Sequence, residues 1–295
     1  MIWIRATGDY CEAVSDESTS LKPLVREALG EPVRRIGRFI QLALIGSGRC
    51  VNQTAIDPDS GVYTSSARGD LDVTLEVVES LFRHGMQPKP LSFVNSVSNA
   101  PNFYVAKHFG LAGRSNFVCS AYLAFESALE LAWVDMQAGY MDSALVGSVD
   151  VATWPIADHR RRLLVSEDTT IAEGSHWLWL QRSQQPPTGA PGEVVAVRQF
   201  NNSEDLLGWQ AAQSLDPEDV GLVGGQFLTA EMLTEISHKS GLEQLPQAPE
   251  PPGYYDSQSG AAISHFLSNP GPQYLLHVNG ERDGPRLAVM LVRRL

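Results

Sequence analysis

The stretch that most restricts the fold is Tyr122 to Gln137, a run with neither glycine nor proline whose only charges are Glu126, Glu130 and Asp135. Its many alanines and leucines favour helix, and it has too few polar residues to cover even one face. It therefore predicts a helix buried around most of its circumference, with Gly139 as the C-terminal stop. Short apolar runs flank it: Asn116 to Ala121 and Ser143 to Ser148 read as buried strands. A helix with no solvent face, set between buried strands, points to an α/β fold with helices covering a mixed sheet.

The remaining periodicity agrees. Arg34 to Ile45 and Asp70 to Phe82 carry apolar residues at helical spacing, and Gly61 to Ser65 reads as a short strand. Ser183 to Gly192, rich in Pro, Gly and Gln, reads as a loop joining two halves, residues 1–185 and 186–295. In the second half, Glu193 to Arg198 and Asp219 to Val223 are expected strands and Leu228 to His238 a helix. Leu275 to Val278 and Arg286 to Val292 are expected to form an antiparallel hairpin. Pro246 to Gly253, with four prolines, reads as an exposed connection.

Composition excludes several classes of function. A formal net charge of -12 disfavours nucleic acid and anionic membranes as partners. It would also repel an acidic carrier protein unless a basic patch intervened. Arg34, Arg35 and Arg38 form one such patch and His159 to Arg162 another, each more simply read as solvated surface charge. No apolar stretch has membrane-spanning length, and the N-terminus has no signal-peptide run. Cys11, Cys50 and Cys119 lack metal or disulfide spacing, so a cytoplasmic protein without metal or cofactor is expected.

Three segments in order carry more information than any one alone. They are Phe93-Val-Asn-Ser-Val-Ser-Asn-Ala100 with Phe109-Gly-Leu-Ala-Gly113, then Asn116 to Gln137, then Gly139, Asp142 and Leu145-Val-Gly-Ser-Val-Asp150. Together they resemble the β-ketoacyl synthases, whose shared architecture is the thiolase-like αβαβα layered fold. The resemblance is good over residues 33–182, where Glu173-Gly174 also matches, and weak beyond, where the second half is shortened. In that family the nucleophilic cysteine keeps fixed spacings from a turn glycine and from the glycine ending the buried helix. Counting nine residues on from Gly113 and seventeen back from Gly139 lands both times on Tyr122.

The resemblance implies what this position should do. A thiolate at a helix N-terminus attacks an acyl thioester, stabilised by the helix dipole and free N–H groups. A phenol, with an ordinary pKa near ~10, is a poor acyl acceptor at neutral pH. The family's two histidines fall near Gly224, in Leu222-Val-Gly-Gly-Gln-Phe227, and on Ser257 before Gly260-Ala-Ala262; neither is histidine here. All three catalytic positions being altered, no catalytic residue is expected at the site.

The sequence is similar to the chain-length-factor type of subunit, as in aryl polyene-like type II polyketide systems. Such a subunit pairs with an active ketosynthase as a heterodimer, and the acyl carrier protein acts mainly through that partner. On this reading Tyr122, Phe125 and Phe103 are candidates for the acyl-tunnel wall, and Phe93, Asn95, Asn99, Phe103 and Tyr104 for the interface. Phe125 and Phe103 read equally well as core aromatics. The alternative is an active acyltransferase or thioester hydrolase using Cys119, although a cysteine inside a strand more simply reads as a small buried hydrophobe. His265, His238 and His277 have no partner at informative spacing.

Overall fold

A computed structural model describes residues 1–295 except 53, 247–251 and 283. Most of the expected connection from Pro246 to Gly253 therefore lies outside the described residues. The first half runs β1 (Ile2–Ala13), α1 (Lys22–Leu29), α2 (Arg38–Val51), β2 (Gly61–Ser66), α3 (Leu71–Phe82), α4 (Pro90–Asn95) and α5 (Ala100–Phe109). It continues with β3 (Ser115–Cys119), α6 (Ala124–Gln137), β4 (Ser143–Asp150), α7 (Ile156–Leu163) and β5 (Ala172–Arg182). The second half runs β6 (Gly192–Phe200), α8 (Ser203–Ala212), β7 (Val220–Gly224), α9 (Ala230–Ser240), β8 (Glu243–Gln244), α10 (Ser259–Ser268), β9 (Tyr274–Gly280) and β10 (Leu287–Arg294).

The strands form one sheet in the order β3-β2-β4-β5-β1-β6-β10-β9-β7-β8. Read outward from the β1–β6 junction, each half repeats the same order. Each half also repeats the same senses, two antiparallel pairings and then two parallel ones. The chain is thus a duplicated α/β unit. The junction consists of two facing pairs only, Trp3 with Glu193 and Ile4 with Gly192.

The apolar side chains sort into layers. Phe39, Ile40 and Leu44 of α2 pack with Val105 of α5 on Val62, Leu145 and Trp177, covering the outer face of the first half. Leu206 and Ile236, from α8 and α9, cover Leu222, Leu276 and Val289 of the second. Between the half-sheets lie Phe125, Leu129 and Met136 of α6 with Ile263 and Phe266 of α10, against Val146, Leu178, Val194 and Met290. The result is five layers, αβαβα, with α6 in the central layer. Phe125, Leu129 and Met136 face the core, while Leu131 (38% exposed) and Val134 (49%) form an apolar outward strip, so the helix is less enclosed than its sequence suggests. Close approach is enforced locally: a Cβ on Gly147 would lie 2.2 Å from the Trp177 ring.

β1 was not legible as a strand, and its length exceeds that of every other strand here. Its backbone is paired along its length by β5, far along the chain, where Asp9 also meets His176. Two surface charges of the sequence reading turn inward. Arg38 pairs with buried Glu173 at 2.6 Å, and His159, 4% exposed, bonds Thr153. Neither basic patch is therefore the simple run of solvated charge that was expected, although Arg34, Arg35 and Arg161 remain exposed.

α3 begins at Asp70, whose carboxylate accepts the Val73 N–H and is 1% exposed. Burial, opposed by that hydrogen bond and aided by Asp72, raises its pKa to about 7. A carboxyl with a raised folded pKa contributes stability that is fully present below about pH 4 and fades as pH rises to about 7. Asp70→Asn keeps the cap without the charge. It is expected to be more stable than wild type at pH 8 by roughly 1–2 kcal/mol and equal or weaker at pH 4. Urea denaturation at the two pH values checks this.

Candidate functional site

The site is built on the β3–α6 connection. β3 ends at Cys119, the Ser120 hydroxyl donates to the Tyr122 carbonyl at 2.6 Å, and Leu123 adopts the left-handed conformation (φ 56°, ψ 27°) before α6. A leucine held in this region costs about 1–2 kcal/mol and marks a sharp elbow that the surrounding packing enforces. No side chain caps α6, so its first N–H groups point into the elbow without a side-chain acceptor. Both glycines that fix the spacing have structural reasons. A Cβ on Gly113 would lie 2.4 Å from the Asp59 carbonyl, and Gly139 has φ +79°.

Tyr122, half-buried, stands one residue before the elbow. Its ring meets Phe227 edge to face at 4.9 Å between centroids. Phe227 follows β7 and closes the Leu222–Phe227 segment, so the structure brings together two of the three positions singled out in the sequence. The segment is fixed by Gly225 N–H on the Val278 carbonyl (2.7 Å) and by Phe227 N–H on Asn279 Oδ1 (3.1 Å). The third position, Ser257, is buried and its carbonyl accepts from Ser148 at 3.2 Å. Beside it Asp150 accepts from Ser66 and Ala67; burial, and then Asp256, push its pKa up to about 6.

Beneath the elbow lies a carboxylate that the sequence showed only as one of three charges on an apolar helix. Glu126, 1% exposed in the first turn of α6, accepts from Ser259 of α10 (2.5 Å) and Asn279 of β9 (2.9 Å). Asn279 also holds the Phe227 N–H, so one connected polar network joins α6 of the first half to β7, β9 and α10 of the second. His277, fully buried, has its pKa lowered by desolvation, an effect that Glu126 opposes.

The other singled-out residues separate by location. Phe125 is a core side chain. Phe103 (60% exposed) and Phe93 (59%) project from α5 and α4, Asn99 is exposed, and Tyr104 is half-buried. Asn95 points inward and accepts from the Tyr104 hydroxyl at 3.5 Å. Cys119 is exposed, contrary to the buried role expected of it, because β3 ends the sheet and has no strand beyond it. Its Sγ bonds the Ala67 carbonyl at 3.8 Å, and partial burial together with Asp150 raises its pKa, disfavouring the thiolate. His238 is exposed; His265 is half-buried against Asn269. No group of His, Cys, Asp and Glu among the described residues is placed to hold a metal ion, and no described helix is long and apolar enough to cross a membrane.

A cavity of about 1060 Å³ runs along α10 from the end of β7 to β1 and β5. Its wall includes His176, Tyr255, Ser259 and His277, none of them marked out beforehand except His277. His176 bonds Asp9, which precedes it by 167 residues, so no local spacing could have revealed the pair.

No family model matches the chain, and no curated protein matches it. Solved structures do. The ishigamide ketosynthase/chain length factor is similar at a TM-score of 0.75 and 17% identity, over 100% of this chain and 99% of that one. This chain has the ketosynthase fold. A type II polyketide acyl carrier protein in complex with its ketosynthase gives 0.76 at 14% identity, over 100% and 99% of the two chains. A β-ketoacyl synthase from Burkholderia phymatum STM815 gives 0.68 at 12% identity, over 100% and 99%. These TM-scores, over the full length of the chain, show the fold: the thiolase-like layering expected from the sequence, across both halves.

Proposed function

We propose that this chain is a non-condensing, ketosynthase-like subunit of the chain-length-factor type. It pairs with an active β-ketoacyl synthase and shapes the tunnel in which the acyl chain grows. The observation that supports this reading is the elbow itself: a strand end, a left-handed Leu123 and an uncapped helix start, where the side chain offered is Tyr122 packed on Phe227. Segment 224–227 and Ser257 lack the imidazoles that condensation would need. A phenol is a poor acyl-accepting nucleophile, while its ring is a rigid wall.

The partner surface is supported by exposed apolar side chains gathered on one flank. Phe82, Phe93, Val94, Val97 and Phe103 protrude from α3, α4, the turn after it and the first half of α5. Scattered apolar residues are ordinary, but five large ones within 22 residues mark an interaction surface. The free edge of β3 lies in the same half, and an unpaired edge invites a further strand. Two similar structures are a ketosynthase/chain length factor and a carrier protein bound to its ketosynthase, which supports an active ketosynthase as occupant. The acidic charge favours carrier-protein docking through that partner, in an aryl polyene-like type II polyketide system.

Tyr122→Ala tests the wall. In the reconstituted pair it is expected to lengthen or broaden the product distribution, read by mass spectrometry of released chains. An unchanged distribution would remove Tyr122 from the tunnel.

A further inference from the structure

Away from the elbow, Asp9, His176 and Tyr255 form a hydrogen-bonded series on the cavity wall, with Cys11 beside it. Asp9 and His176 face each other across the β1–β5 ladder, with Asp9 Oδ1 2.7 Å from Nδ1. Nε2 lies 2.7 Å from the Tyr255 hydroxyl. Cys11 stands two residues after Asp9, hence on the same face of β1, and lines the same cavity as that hydroxyl. The residue opposite Cys11 on β5 is Gly174, and a Cβ there would lie 2.2 Å from the Tyr255 ring. Glycine therefore makes the room in which the ring reaches between Cys11 and His176. All four line the same cavity, where Val223, Leu228 and Ala262 offer an apolar side.

Of the three cysteines only Cys11 has this surrounding. Cys50 is fully buried, and Cys119 bonds the Ala67 carbonyl. We propose that Cys11, Tyr255, His176 and Asp9 are a second chemical centre, distinct from the elbow, that accepts an acyl group from a thioester onto Cys11. Burial pushes the resting thiol up to about 11, so a neutral solution holds almost no thiolate and the reaction needs a base. The series supplies one. As sulfur attacks the thioester carbonyl carbon, its proton passes to the Tyr255 oxygen and the phenolic proton to His176 Nε2. Asp9 orients the ring and stabilises its positive charge. The bond from the carbonyl carbon to the departing sulfur then breaks, and the proton returns by the same route to that thiolate. One thioester replaces another, with no oxidant or reductant.

The test incubates the full chain with an acyl N-acetylcysteamine thioester and locates adducts by peptide mass spectrometry. An adduct on the Cys11 peptide is expected, absent in Cys11→Ala. It should form roughly a hundredfold more slowly in Tyr255→Phe and His176→Gln, each first shown to melt as wild type. Asp9→Asn, a positioning change, should shift the pH profile of acylation. No adduct on Cys11, an adduct on Cys119 alone, or acylation at unchanged rate in folded Tyr255→Phe overturns the proposal. Since none of these outcomes involves chain elongation, they are independent of the non-condensing role of the elbow.

Discussion

Arg38→Ala is expected to destabilise the chain by about 3–5 kcal/mol, the usual result of leaving a buried carboxylate without its cation. Arg38 Nε lies 2.7 and 2.8 Å from the two oxygens of Glu173, which also accepts the Ala152 N–H at 3.0 Å. The same guanidinium donates to the Thr19 carbonyl and lies over the Trp154 ring. One side chain thus ties α2 to β5 and to two loops. Burial raises the Glu173 pKa, and Arg38 is the main group opposing it. Without Arg38 the folded pKa rises further, so the variant loses stability as pH increases. Its deficit against wild type should grow from pH 5 to pH 8. Arg38→Lys should recover only part, because an ammonium cannot engage both oxygens as the planar fork does. Denaturant titrations at the two pH values check both statements.

The second large effect is expected at Glu126. Glu126→Ala removes the acceptor shared by Ser259 and Asn279 and leaves their donors buried between the halves. A loss of about 3 kcal/mol follows from two charge-assisted hydrogen bonds and the desolvated donors. For a chain of this size that lowers Tm by roughly 5 °C. Glu126→Gln keeps one acceptor oxygen and should lose less than half as much. Because Asn279 also holds the Phe227 N–H, the alanine variant should loosen the ring facing Tyr122, seen as faster amide exchange at 225–227.

Much of the first half was legible because its elements are decided locally. Asp70 to Phe82 has a helical stripe, and α3 spans Leu71–Phe82. The central helix was visible from its lack of a polar face. The C-terminal hairpin was visible from two apolar runs around a polar turn and appears as β9 and β10. What escaped depends on partners distant in sequence. β1 reads as a mixed polar segment because the strand that pairs its backbone, β5, lies far along the chain. His176 gains meaning only beside Asp9 and Tyr255. The exposure of Cys119 follows from β3 being the last strand of the sheet, which no single segment states. A length of 295 residues leaves a duplicated α/β unit open, but no segment decides it, because strand order and direction repeat while side chains do not.

The direct test of the central claim is malonyl-dependent chain elongation by the purified chain alone and with a ketosynthase encoded beside it, using acyl and malonyl carrier thioesters. The chain alone should form no carbon–carbon bond. With its partner it should purify as one complex that elongates, and replacing the partner's nucleophilic cysteine should abolish elongation while Tyr122→Phe does not. Elongation by the isolated chain, or failure of the two proteins to associate, would contradict a non-condensing subunit.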